Sequence, residues 1–168
     1  AVARGAEFGY DGIEVYGGHF PDAADPVEGL EYLCKVVGQG GLPVKAAPLI
    51  VDVLTVDEGQ VAAQTAAAVE LVMAAGRLGI PSLNAMIGWL RPDAAGRDGS
   101  ALATEAHFER AIKLCGELAE AAATTGVGIT LETHMQTIHD VAASTLRIIE
   151  AVDSPHLRVN YDAGNMYS

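Results

Sequence analysis

Two carboxylates in this chain stand where strands end: Glu132 closes Thr-Leu-Glu at 130–132, and Asp162 closes Val-Asn-Tyr-Asp at 159–162. They lie thirty residues apart with one helix-like segment between them. In a parallel sheet that spacing sets both acids at the C-terminal ends of consecutive strands, facing one mouth. Neighbouring carboxylates in a half-buried mouth repel, so they require a cation or a shared proton. A lone strand-end acid is better explained as a helix cap or an arginine's partner. Two at equivalent places, beside His134 and Asn165, favour the cation.

The elements that must position these residues follow from the apolar pattern. Short β-rich runs at 12–16, 44–54, 80–88, 127–132 and 157–162 alternate with longer helical stretches. Asp25, Pro26 and Glu28 form a capping arrangement for a helix to about Val37, and Thr55 with Glu58 repeats it for an Ala-rich helix to about Leu78. Phe108, Ile112, Cys115 and Ala119 recur at helical spacing within 101–124, and Val141, Ile148, Ile149 and Val152 mark one face of a helix over 138–152. Strand starts 32, 36, 47 and 30 residues apart fit a repeated βα unit, hence a parallel sheet. A closed (β/α)₈ barrel and an open doubly wound sheet compete; no G-x-G-x-x-G or P-loop follows any strand, which removes the main argument for the open sheet. The long loops at 17–25 and 89–100 both follow strands, on the face where α/β proteins build sites.

Composition narrows the partner. With 22 Asp and Glu against 10 Lys and Arg the net charge is −12, which repels phosphate backbones and anionic membranes, so nucleic acid and membrane are excluded and a small polar ligand or a metal is favoured. The apolar runs are too short for a span and no basic, apolar leader opens the chain, so the expected location is cytoplasmic. Cys34 and Cys115, in helical segments, read as reduced core thiols, and Met73, Met86, Met135 and Met166 as packing.

At 131–134 Leu-Glu-Thr-His, and at 160–165 Asn-Tyr-Asp-Ala-Gly-Asn, resemble the fifth and sixth strand ends of the xylose isomerase-like barrels, a superfamily of sugar isomerases and epimerases, inosose dehydratases and apurinic endonucleases. Phe8 to Tyr16 is similar to that family's second strand, and the Ala-rich helix before Gly126-Val127 to its fourth helix, so the resemblance covers roughly 8–166. It implies an α/β fold, a partial TIM barrel of about strands 2 to 6. It also implies that Glu132 and Asp162 are two of four ligands to one divalent cation, Mn²⁺, Mg²⁺ or Co²⁺ by the oxygen-rich ligation. The other two, a histidine and a second glutamate, come from the family's seventh and eighth strands, which are not among those read here. Glu132 would also move the substrate proton. The endonucleases carry histidine three residues after the sixth-strand aspartate; Asn165 stands there instead, a poor zinc ligand that argues for one metal and for a hydrogen bond to a substrate hydroxyl. Many sugar isomerases carry that histidine too, so the subfamily stays open.

Four further residues can line the mouth. His134 either orients Glu132 or bonds substrate oxygens, or is an ordinary loop histidine. Glu14, alternating with Ile13 and Val15, either touches a sugar hydroxyl or makes a structural bond. His19 lies in the 17–25 loop and reaches the mouth or the surface, and Trp89 opens the 89–100 loop as an apolar wall for a sugar or as packing. Arg91 reads as a solvated arginine, His107, His139 and His156 as helix-flanking residues without a role. The expected function is metal-dependent isomerisation or epimerisation of a small sugar or hydroxy-ketone. The alternatives are a same-fold dehydratase of the inosose type and a non-catalytic partial-barrel scaffold. A complete (β/α)₈ barrel takes about 250 residues. The chain's 168 therefore read as about two thirds of one domain, both ends cut. Its unpaired sheet edges and uncovered apolar interior would favour association, including a homo-oligomer.

Overall fold

The computed structural model describes residues 2–20 and 25–165. Part of the first long loop and Met166 fall outside them. Along the chain run α1 (Val2–Glu7), β1 (Ile13–Glu14), α2 (Pro26–Gln39), β2 (Val44–Val51), α3 (Glu58–Arg77), β3 (Ser82–Ile87), α4 (Glu105–Thr125), β4 (Gly128–Glu132), α5 (Ala142–Val152) and β5 (Leu157–Asn160). The sheet order is β1-β2-β3-β4-β5 with every pair parallel. A doubly wound sheet reverses its direction of strand addition; this one never does. With right-handed crossovers, one-way addition stacks successive helices on a single face and curves the sheet into an arc of a (β/α)₈ barrel.

Burial shows the two faces. Leu49, Leu83, Ala85, Ile87, Ile129 and Leu131 are at most 1% exposed. They meet Leu30 and Leu33 of α2, Leu71 and Val72 of α3, Leu114 and Leu118 of α4 and Ile148 of α5 in one core. By the two-residue period of a strand, the opposite face carries Pro48 and Ile50, Asn84 and Met86, Thr130 and Glu132, and Asn160. Ile50 is 53% exposed there. That open face is more polar than the apolar interior expected from the sequence, because Asn84, Thr130, Glu132 and Asn160 occupy its centre. No helix among the described residues is long and apolar enough to cross a membrane.

Local chemistry explains the element ends. The Asp25 carboxylate accepts hydrogen bonds from the amides of Val27 (2.8 Å) and Glu28 (3.4 Å), with Pro26 at the first helical position, as the sequence predicts. α3 corrects its predicted cap. Asp57 accepts from the Gln60 amide (3.0 Å) and Gln60 answers to the Asp57 amide (3.4 Å), whereas the Thr55 hydroxyl is spent on Asp52 (2.7 Å). α4 is shorter at its start than predicted, since Gly99–Leu102 form a separate 3₁₀ turn and Thr104 caps the helix proper by accepting from His107 N–H (3.3 Å). α5 begins at Ala142 rather than 138 because Thr137, Ile138 and His139 are drawn fully inside ahead of it. Val141 is consequently 44% exposed, and the buried stripe is Ser144, Thr145 and Ile148. Both cysteines are free, and burial pushes the Cys115 thiol up to about 12.

Candidate functional site

Strand register gathers the polar residues. β3 pairs Asn84 with Thr130 of β4, and β4 pairs Glu132 with Asn160 of β5, so all four face the open side over three adjacent strands. Asn84 donates from Nδ2 to Glu132 Oε2, while its Oδ1 accepts from Asn160 Nδ2 at 3.2 Å. Beyond β5, Asp162 Oδ1 closes a tight turn by accepting from the amides of Gly164 (2.8 Å) and Asn165 (3.3 Å). That turn aims Asn165. Its Nδ2 donates to Glu132 Oε1 at 2.9 Å and to Asp162 Oδ2 at 3.1 Å, so one amide group sits between the two strand-end carboxylates. Thr133, 1% exposed, ties the two strand ends together: its hydroxyl accepts from the Asp162 amide (2.8 Å) and reaches the Asp162 carbonyl (3.2 Å).

A cleft of about 300 Å³ opens over Glu132, lined also by Glu14, Tyr16, Pro48, Asn84, Met86 and His134. Glu14 and His134 thus come to the same opening as Glu132. The Nδ1–H of His134 donates to the Met135 carbonyl at 2.9 Å, which leaves Nε2 as the nitrogen free to accept. His19 lies elsewhere; its Nδ1 accepts from the Tyr16 amide at 3.1 Å and its ring meets the Tyr16 ring edge-on. Trp89 lines a second cleft, of about 310 Å³, with Asp52, Thr55 and Arg91, and its backbone bridges to Thr137. A third, apolar cleft of about 300 Å³ between α2 and α3 has Phe20, Leu49, Ile50 and Leu71 on its walls and no acid or base, so it offers no chemistry.

Two residues at the site escaped sequence reading. Asn84 carried a readable signal, a polar residue between Ser82 and Met86 on the inward period of its strand. His139 carried none. It is fully buried, accepts from the Ile87 amide at Nε2 (3.0 Å) and donates from Nδ1 to the Glu132 carbonyl (2.6 Å). Burial pushes this imidazole down from its ordinary 6.5 to about 4, against the smaller opposing pulls of the Glu132 carbonyl and Asp140. Its folded-state pKa lies below the unfolded value, so its contribution to stability is present above pH 6.5 and is lost as the pH falls toward 4. The unfolding free energy from urea titrations should therefore drop between about pH 7.5 and about pH 5.5 by roughly 1 kcal/mol more in the parent chain than in His139→Asn. Equal drops in both would assign the pH response to other groups.

Among the described residues no group of three or more His, Cys, Asp and Glu is placed to hold a metal. The donor chemistry of these residues is nevertheless that of half a hard-cation site: two carboxylates share one side-chain amide NH₂, and carboxylate oxygens are the ligands such ions take. A family model described as a xylose isomerase-like TIM barrel matches residues 2–168. The chain belongs to the xylose isomerase-like TIM barrel family. Solved structures superpose on nearly all of it. The 3-keto-D-glucoside 4-epimerase of E. coli shares 18% identity at a TM-score of 0.75 over 98% of this chain and 63% of its own. The probable 3-DHS dehydratase of petrobactin synthesis from Bacillus anthracis shares 22% at 0.67, over 96% and 56%. A xylose isomerase-like TIM barrel protein from Mycobacterium smegmatis in complex with magnesium shares 21% at 0.67, over 98% and 56%. This chain therefore spans little more than half the length of those proteins, and the likeness is one of fold. No curated protein matches it significantly.

Proposed function

We propose that this chain is the larger part of a single-domain, divalent-metal-dependent isomerase or epimerase acting on a small sugar or hydroxy-ketone. The observation that carries the reading is the shared amide: Asn165 Nδ2 spans Glu132 and Asp162 while Asn84 meets the other Glu132 oxygen, so the two strand-end carboxylates stand together beside the cleft that Glu132 lines. Family membership supports the same reading. Glu132 and Asp162 would hold the ion, of the Mn²⁺, Mg²⁺ or Co²⁺ class, with further ligands from outside this chain's described residues. When bound, the ion supplies positive charge against the negative charge that develops beside the carbonyl.

The chain's own residues do the rest. Glu132 takes the proton from the carbon next to the substrate carbonyl, with Asn84 and Asn165 fixing which carboxylate lone pairs point into the cleft. His134 Nε2 and Glu14 face the same cleft and bind substrate hydroxyls; Asn165, in place of a histidine, adds an amide rather than another metal ligand. His19 and Trp89 would contact only a substrate long enough to leave the Glu132 cleft. The dehydratase reading is favoured by the likeness to the Bacillus anthracis protein, and it begins with the same proton abstraction followed by loss of hydroxide.

Titration of the purified chain with Mn²⁺ tests the metal half: stoichiometric binding, weakened about tenfold or more in Asp162→Ala, is expected. Absence of Mn²⁺ binding in the parent chain would remove the metal from the reading. A ketohexose such as D-fructose in D₂O tests the chemistry. Deuterium uptake beside the carbonyl without loss of water supports the epimerase class, and loss of water the dehydratase. Neither one with Mn²⁺ bound would leave the scaffold alternative.

A further inference from the structure

The sheet has a gap behind Glu132. β3 and β4 pair only as far as Ala85 and Leu131, after which β3 continues along β2 through Met86 and Ile87 while Glu132 pairs with Asn160 of β5. Their ladder ends there, and the Ile87 amide and the Glu132 carbonyl beyond it both turn to the same side chain. The His139 ring takes both, accepting from the Ile87 amide at 3.0 Å and reaching the Glu132 carbonyl at 2.6 Å. An amide can only donate and a carbonyl only accept, so the two contacts fix the ring as the neutral Nδ1–H form. The ring is held from its own side as well: it is 0% exposed, and the Thr145 hydroxyl donates to the His139 carbonyl at 3.0 Å.

We propose that His139 is a positioning residue, its imidazole wedged between the ends of β3 and β4 to set the Glu132 peptide and so the direction in which the Glu132 carboxylate meets Asn84 and Asn165. The peptide that follows Glu132 is gripped on its carbonyl by His139, and its Thr133 amide donates to the Asn160 carbonyl at 3.0 Å. Rotation of that peptide would swing Cβ of Glu132 and pull its oxygens off the two amides. A ligand-bearing residue held from behind in this way resembles the outer-shell partners whose loss weakens metal sites by about tenfold to a hundredfold. The inference rests on the reading of Glu132 as the site's carboxylate.

Two variants separate positioning from simple support of the fold. In His139→Asn the amide nitrogen occupies the Nδ1 place and keeps the Glu132 carbonyl bond but abandons Ile87. In His139→Gln the longer amide reaches the Nε2 place, keeping Ile87 and abandoning Glu132. Each loses one buried hydrogen bond, so their thermal midpoints should fall alike. Mn²⁺ affinity should remain within about twofold of the parent in His139→Asn and fall about tenfold or more in His139→Gln. Equal losses in both variants would overturn the proposal, because a support role does not distinguish the two ends of the ring. If the parent chain binds no Mn²⁺, the metal reading fails on its own, and the side-chain amide signals of Asn84 and Asn165 in an ¹⁵N–¹H spectrum then decide about His139. They report the Glu132 carboxylate directly. Parent-like signals in His139→Asn with displaced signals in His139→Gln uphold positioning, and the same pattern in both variants overturns it.

Discussion

Glu132→Gln is expected to cut deuterium exchange beside the substrate carbonyl by about a thousandfold, within the range a positioned acid–base group supplies. The substitution keeps the size of the side chain and removes its charge and its basicity. Both Glu132 oxygens are acceptors in the fold, one for Asn84 Nδ2 and one for Asn165 Nδ2, so a glutamine necessarily turns its own NH₂ toward one of two donors. That clash loses one hydrogen bond, a stability cost of about 1 kcal/mol. The thermal midpoint should consequently move by only a few degrees while exchange collapses, and the contrast between the two separates chemistry from folding. Glu132→Asp offers a second comparison: it keeps the charge but withdraws the carboxylate by one methylene from both amides, and it should retain more exchange than the glutamine. Undiminished exchange in Glu132→Gln would transfer the proton-moving role to another group, with Glu14, Tyr16 and His134 the other ionisable side chains at hand in that cleft.

The site was legible in proportion to how locally it is built. The proximity of Glu132, Asp162 and Asn165 was legible because consecutive strand ends in a βα repeat lie side by side, and the turn that aims Asn165 is closed within three residues by Asp162 itself. Asn84 is harder to read, since one polar residue in a strand is ambiguous until the register sets it beside Thr130 and Glu132. His139 is invisible at this level: its role depends on a ring crossing from a loop to two strand ends, and no periodicity encodes that. The same contrast runs through the elements. The cap at Asp25 follows from adjacent residues. Thr55 and Asp57 are both capping types, and only the Asp52–Thr55 contact, formed in the folded turn, hands the cap to Asp57. β1, read as residues 12–16, is observed as Ile13–Glu14, with its register to β2 shifted between those two residues. Unidirectional strand order is a property of pairing that periodicity does not encode; the barrel was legible instead through the absent nucleotide motifs and the strand-end resemblance.

Gly88→Ala should destabilise the chain by about 3 kcal/mol, summing a left-handed backbone penalty for alanine of 1–2 kcal/mol and an overpacking cost of similar size. Gly88 directly follows β3 at φ +66°, and a Cβ there would stand 2.3 Å from Cγ and Cδ1 of Leu54. Leu54 is 4% exposed and belongs to the packed core. The backbone of Gly88 is equally committed: its amide donates to the Val51 carbonyl at 3.0 Å, and its carbonyl accepts from the Ile138 amide at 3.3 Å. Relief by backbone movement would therefore disturb the end of β2, the end of β3 and the segment that carries His139 together. Gly38→Ala provides the opposite sign. Gly38 lies in the last turn of α2 without a positive φ, a Cβ there meets nothing within 4 Å, and alanine should stabilise by roughly 0.5 kcal/mol. In thermal unfolding the two variants should bracket the parent, Gly88→Ala lower by roughly 10 °C and Gly38→Ala higher by a few degrees. If Gly88→Ala unfolds with the parent, the turn out of β3 is able to relax without strain. The strand ends that carry Asn84 and face Glu132 would then be more pliable than a preorganised site needs, and Mn²⁺ affinity in that variant should show it.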